Sequence, residues 1–211
     1  MTIIGIAGGS GSGKTTFALL LQDLLGKGHC AILHQDAYYH DQSHAFDRDG
    51  GNVNFDHPDA IDFELMTSHL QELKAGRPIA VPVYDYETHR RLSRTTPLAA
   101  SPLIVVEGML ILSQRSIREL LNVKVFIAAP EQVRLARRLS RDARERGRDP
   151  AGIKQQFLSH VKPMHDRFVE PSRQYADAVY SGEETMDDQI RHLITRIGVI
   201  DGTNRSVHPN A

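Results

Sequence analysis

The chain has 211 residues, 40% hydrophobic and 24% charged, enough for one sizeable core and a small lid. Its 25 Lys and Arg stand against 26 Asp and Glu, and a net charge of -1 excludes a general pull toward nucleic acid or an anionic membrane. The lone cysteine, Cys30, excludes an internal disulfide and a cysteine cluster for zinc, and beside Ala31-Ile32-Leu33 it reads as a small buried residue.

Residues 2–7, TIIGIA, are continuously apolar and predict a buried strand. The run gives way to Gly8-Gly9-Ser10-Gly11-Ser12-Gly13-Lys14-Thr15 and then Thr16, which fits the spacing G-x-x-x-x-G-K-[ST]. In such a loop backbone N–H groups wrap a phosphate, the Lys14 ammonium reaches the outer phosphates, and the Thr15 hydroxyl ligates magnesium. Residues 17–25 place Phe17, Leu20, Leu21, Leu24 and Leu25 at helical spacing before Gly26, and the free N–H groups opening such a helix favour an anion. Strand-length apolar runs at 30–34, 103–107, 123–129 and 178–180 alternate with helix-like segments. That alternation predicts an α/β fold, a parallel sheet of the P-loop NTPase type flanked by helices.

Leu65, Met66, Leu70 and Leu73 mark a helix that Asp59 or Asp62 would cap and Gly76 would end. Val133, Leu135, Ala136 and Leu139 follow Pro130 in another, and Ile190, Leu193, Ile194 and Ile197 share one face of a last helix at 187–197. Two regions depart from this plan. Residues 36–59 are long, polar and aromatic, and 77–97 alternate around Val81, Val83, Tyr84 and Tyr86 as a small β-hairpin would. Irregular segments of this length carry function, and the first begins beyond a strand's carboxyl end, where open parallel sheets bind ligands. A single P-loop domain is expected over 1–200 and a flexible tail over 201–211. No apolar run approaches the ~20 residues of a membrane span, and the chain enters a strand without a leader pattern, so a cytoplasmic protein is expected.

Seven arginines, at 134, 137, 138, 141, 144, 146 and 148, face only Asp142, Glu145 and Asp149 in the same stretch. The basic charge is therefore local, and Gly147 could hinge it as a lid over phosphates.

In order and spacing, GIAGGSGSGKTT, QDAYY, NFDHPDAID, VPVYDYETHRR, VVEGML and RLARRLSRDARERGRD resemble the motifs of the uridine kinases, or uridine-cytidine kinases, over residues 3–182. The resemblance implies magnesium-dependent transfer from ATP, with GTP also tolerated, to the 5'-hydroxyl of uridine and cytidine, a substrate-binding hairpin, an Arg-rich helical lid and a homotetramer. Nucleic-acid and membrane partners are not expected. Phosphoryl transfer asks for positioning and charge neutralisation. Residues 8–16 would hold the donor, with Lys14 on its phosphates. Glu107, ending its strand, can reach the metal directly or through water. Asp36, just past the strand at 30–34, is the acid placed to orient and deprotonate the acceptor hydroxyl, and is counted with Thr15 and Glu107 as a metal ligand. Tyr and Phe rings offer faces to a flat nucleobase, Phe55 among them. By resemblance Asp56 contacts the ribose, Tyr84 and His89 the pyrimidine edge, and Tyr39 and Tyr86 its surroundings, with Arg91 assisting. Arg138, Arg141, Arg146 and Arg148 would face the donor phosphates and the acceptor, while Arg134, Arg137 and Arg144 are left to a solvated helix face.

Other functions would use parts of this set. A phosphoribulokinase-like enzyme acting on a sugar phosphate would call for extra cations in place of the aromatics. A nucleotide switch would leave Asp36 without a purpose, and an RNA-binding arginine helix fits poorly with the acids inside the patch. Tyr86 stands where the family commonly has Phe, Met109 where a branched aliphatic is common, and Arg90 where a smaller residue is usual.

Overall fold

The computed structural model describes residues 1–46, 53–147 and 149–198. In chain order the strands are β1 (Thr2–Ala7), β2 (Cys30–His34), β3 (Ile79–Asp85), β4 (Arg90–Leu98), β5 (Leu103–Glu107), β6 (Val123–Ala128) and β7 (Ala178–Ser181). The longer helices are α1 (Lys14–Leu25), α2 (Phe63–Lys74), α3 (Glu131–Arg146) and α4 (Met186–Ile197). Five strands lie parallel in the order β2-β5-β1-β6-β7, and β3 and β4 form a separate antiparallel hairpin. The expected α/β sheet and hairpin are both present. The expected tail, residues 201–211, lies outside the described residues.

Helices cover both faces of the sheet, which is why β1 and β5 read as unbroken apolar runs. Ile4, Ile6, Val105 and Ile127 pack with Phe17 and Leu21 of α1 and with Ile190, Leu193 and Ile194 of α4. Ile3, Ile104, Val106 and Phe126 point the other way, into a core with Met66, Leu70 and Leu73 of α2. Each such buried side chain contributes roughly 1.5–3 kcal/mol. Asp62, the later of the two candidate caps, closes the start of α2 by accepting from Leu65 N at 3.0 Å, while Asp59 falls in the turn Pro58–Ala60. Among the described residues no helix is long and apolar enough to cross a membrane.

The helical stretch after Pro150 holds two π-helical turns, Phe157–Val161 and His165–Val169. Each is followed two residues later by a proline, Pro163 and Pro171. A wider turn absorbs the missing N–H and the ring that would clash within a regular helix.

Candidate active site

The phosphate loop leaves β1 at Ala7 and enters α1 at Lys14, three residues before the periodic apolar pattern begins. Gly11 has φ +80°, a region L side chains rarely occupy, and a Cβ there would lie 2.5 Å from the carbonyl oxygen of Arg134. Gly13, the N-cap of α1, has φ +101°. The outer carbonyls of the loop are held by α3. Arg137 donates through Nη1 to the oxygens of Gly11 and Ser12 at 3.4 and 3.3 Å, and through Nη2 to Gly182 O at 2.8 Å. Arg138 donates to Ser10 Oγ and Gln156 Oε1, both at 3.0 Å, with Asp142 Oδ2 3.4 Å from its Nε. Carbonyls engaged on the outside leave the loop's N–H groups for an anion within.

These contacts correct one expectation. Arg134 does not belong to a solvated face, since it is 3% exposed and donates to Ala129 O at 3.2 Å, whereas Arg137 is exposed, as expected, but uses its guanidinium to grip the loop. Arg144 is exposed, as expected. Arg141, also on α3, donates to Asp142 Oδ1 at 2.9 Å, so the buried Asp142 holds both Arg138 and Arg141. Arg148 and the side chain of Arg146 lie outside the described residues.

The sheet register sets Glu107 between Ile6 of β1 and His34 of β2, beside the mouth of the loop. Thr15 Oγ1 donates to Glu107 Oε2 at 3.1 Å, and His34 Nδ1 is 2.7 Å from Oε1. Burial works against the charged form of Glu107, but the hydrogen bond from His34, the charge of Lys14 and the Thr15 hydroxyl outweigh it and hold its pKa below the ordinary glutamate range. The hydrogen bond to Glu107 raises the pKa of His34 against its own burial. A hydroxyl and a carboxylate meeting beside a phosphate loop are hard oxygen donors, so the residues present fit magnesium.

Asp36 lies in the turn Gln35–Tyr38, directly after β2. The turn is anchored by Gln35, fully buried, whose Oε1 accepts from Leu110 N at 2.8 Å. Any Cβ at Gly108 would overlap the Gln35 side chain. Both residues stand inside the motifs QDAYY and VVEGML, but neither was assigned a role from the sequence. On the hairpin, Tyr84 is buried and its hydroxyl is 3.4 Å from His89 Nδ1, while the exposed Tyr86 donates to Asp36 O at 3.3 Å. His89 sits at the hairpin turn with φ +52°, a costly conformation for a residue other than glycine. Its ring stacks on Phe55 at 4.4 Å, and Tyr39 meets Tyr84 at 5.2 Å and Phe55 at 5.9 Å. Tyr39, Phe55, Tyr84, Tyr86 and His89 therefore form one aromatic group, as their clustering in the irregular regions suggested. Asp56 is 4% exposed; burial raises its pKa against the charge of Arg138, and Asp36 and Lys14 also act on it.

The aromatic group reaches the turn of Asp36 through Tyr86, and the charges of Arg138, Asp36 and Lys14 all act on the buried Asp56. The guanidinium of Arg91, expected to assist at the base, is bonded to Tyr38 O, Tyr39 O and Asp62.

Residues 3–187 match the family model described as phosphoribulokinase / uridine kinase. The chain belongs to this family. It is 42% identical over 177 residues to the uridine kinase of Clostridium novyi (strain NT), covering 84% of this chain and 85% of that protein. With the uridine kinase of Lactobacillus johnsonii (strain CNCM I-12250 / La1 / NCC 533) it shares 40% identity over 196 residues, 92% and 93% of the two chains. A solved Bacillus stearothermophilus structure, described as that of a possible uridine kinase, superposes with a TM-score of 0.62 at 25% identity and covers 85% of this chain and 88% of that one. The resemblance carried by the six motifs is therefore one of membership, and the chain is a kinase with the P-loop fold.

Proposed function

We propose that this kinase transfers the terminal phosphoryl group of ATP, with magnesium, to the 5'-hydroxyl of uridine and cytidine, yielding UMP and CMP. The observation that carries the reading is the junction of its two halves: Asp56, buried beside the aromatic group, is acted on by Asp36 from the acceptor side and by Lys14 and Arg138 from the donor side. A sugar phosphate would leave that aromatic surface unused.

In this reading residues 8–16 hold the donor phosphates through backbone N–H groups, and Lys14 and Arg138 oppose their charge. Thr15 and Glu107 would hold the magnesium, which supplies charge neutralisation on the phosphates when bound. Asp36 orients the acceptor hydroxyl and takes its proton as the new O–P bond forms. Asp56 accepts from the ribose hydroxyls, and the rings of Tyr39, Phe55, Tyr84 and His89 enclose the base. Arg141, Arg146 and Arg148 complete the lid over the phosphates, and the same family reading has the chain assemble as a homotetramer.

The test is phosphate transfer from ATP, and separately GTP, with magnesium, to uridine, cytidine, adenosine, ribulose 5-phosphate and no acceptor. Turnover of the two pyrimidine nucleosides is expected. Turnover confined to ribulose 5-phosphate, or donor binding with no transfer at all, would overturn the assignment.

A further inference from the structure

We propose that Arg91 is a positioning residue which locks the aromatic hairpin onto the turn that carries Asp36, so that acceptor binding and hydroxyl activation share one geometry; the proposal rests on the nucleoside-kinase reading above. All three guanidinium nitrogens of Arg91 are bonded to protein. Nε donates to Tyr39 O at 2.9 Å, Nη2 to Tyr38 O at 2.8 Å and Nη1 to Asp62 Oδ2 at 2.8 Å. The two carbonyls belong to the segment immediately after Asp36, and Asp62 is the cap of α2. One side chain on β4 thus ties together three separate parts of the chain.

The tie is reinforced around it. Tyr38 O also accepts from Asp62 N at 2.8 Å, Arg91 N donates to Asp41 Oδ2 at 3.2 Å, and Gln42 N donates to His89 O at 3.0 Å. In the hairpin register Arg91 pairs with Tyr84, so the residue that grips the turn stands opposite a ring of the aromatic group. Asp62 is partly buried, yet the Arg91 hydrogen bond and the Leu65 N–H hold its pKa below the usual aspartate value, so it stays a charged acceptor at neutral pH. A lysine cannot reproduce this. Its ammonium is a point donor without the planar fork that reaches two backbone carbonyls and a carboxylate at once.

The experiment compares wild type with Arg91→Lys, Arg91→Ala and Asp62→Asn in steady-state kinetics, in binding of a non-hydrolysable ATP analogue, and in amide hydrogen exchange of the ligand-free chain. The expected result is a uridine KM raised at least ~10-fold with a lower kcat, since a small misplacement of a reacting group is costly. Analogue binding stays within about twofold, because the hydrogen bonds of Arg91 go to Tyr38, Tyr39, Asp41 and Asp62 and not to the loop at 8–16. Exchange quickens in residues 36–42 and is unchanged in residues 14–25. If uridine KM rises while exchange is unchanged, Arg91 touches the substrate directly and the positioning role is overturned. It is also overturned if Arg91→Lys matches wild type in every readout. Should wild type phosphorylate no nucleoside, the functional reading falls, while exchange at 36–42 still decides whether Arg91 holds the turn. Arg91→Lys and Asp62→Asn, which keep polarity and nearly the same volume, carry the test if Arg91→Ala does not fold.

Discussion

On the proposed donor side the binding groups are backbone, contiguous over residues 8–16, and the loop is clamped from outside by Arg137 and Arg138. On the proposed acceptor side they are side chains, drawn from the turn at Asp36, from Phe55 and Asp56, and from the hairpin with Tyr84, Tyr86 and His89. The first is a fixed cradle that suits any polyphosphate, because a row of N–H groups reads charge and not identity. The second depends on three segments staying in register, and it is there that one substrate can be told from another. Separate failure of the two sides is the consequence: donor variants should lose nucleotide and keep nucleoside, and acceptor variants the reverse.

The largest effect should come from Asp36, the proposed base. Asp36→Asn is expected to lower kcat by roughly 10²–10⁴ while uridine binding by calorimetry changes little, since the amide keeps the shape but cannot take a proton. A loss under tenfold would remove Asp36 as the base. Next comes Gly11→Ala, which forces a side chain into φ +80° and against the Arg134 carbonyl. Strain of about 1–3 kcal/mol should weaken ATP-analogue binding ~5- to 150-fold. Uridine affinity in the absence of ATP should be untouched, and a parallel loss of both would break the separation of the two sides.

His89→Ala is expected to raise uridine KM by at least about tenfold, with analogue binding unchanged, because it removes both a stacking ring and a polar edge contact. His89→Asn, which tolerates the left-handed backbone, tells ring loss from backbone relaxation in thermal melts. Tyr86→Phe should change KM by no more than ~3-fold, as the hydroxyl makes a 3.3 Å bond on an exposed ring.

The smallest effect is in the pH dependence of stability. His34 is raised from 6.5 by its bond to Glu107, so its contribution is full below 6.5 and is lost as pH rises through the raised value. Glu107 is lowered from 4.5, so its contribution is present above 4.5 and lost as pH falls through the lowered value. His34→Gln should flatten the fall in melting temperature on the alkaline side and leave the acid side less altered. An unchanged alkaline slope would show that the bond to Glu107 is not formed in solution.

The donor side was the more legible of the two, for a physical reason. A phosphate loop must be contiguous, so its spacing is written in the chain, and the strands at 2–7 and 103–107 were visible because burial on both faces demands unbroken apolar runs. The acceptor aromatics could be nominated from their concentration in irregular regions and from resemblance, but which rings stack on which could not. Arg134 was misassigned, and the grip of the exposed Arg137 on the loop was missed, because helical spacing shows which residues share a face and not what that face meets. Gln156, the partner of Arg138, was given no role, and neither were His34 and Gln35, since each acts through a residue far away in sequence.

What the sequence determined by itself is whatever depends on neighbours along the chain: the strand runs, the caps, the loop that cradles phosphate and the local excess of arginine. Tertiary structure alone decided the pairings across distance, among them Arg138 with Ser10, 128 residues apart, and Arg91 with Tyr38, 53 apart. Spacing along a chain reports local geometry. The partner of a long, flexible guanidinium is set only when packed helices and strands bring an unsatisfied carbonyl or carboxylate within its reach.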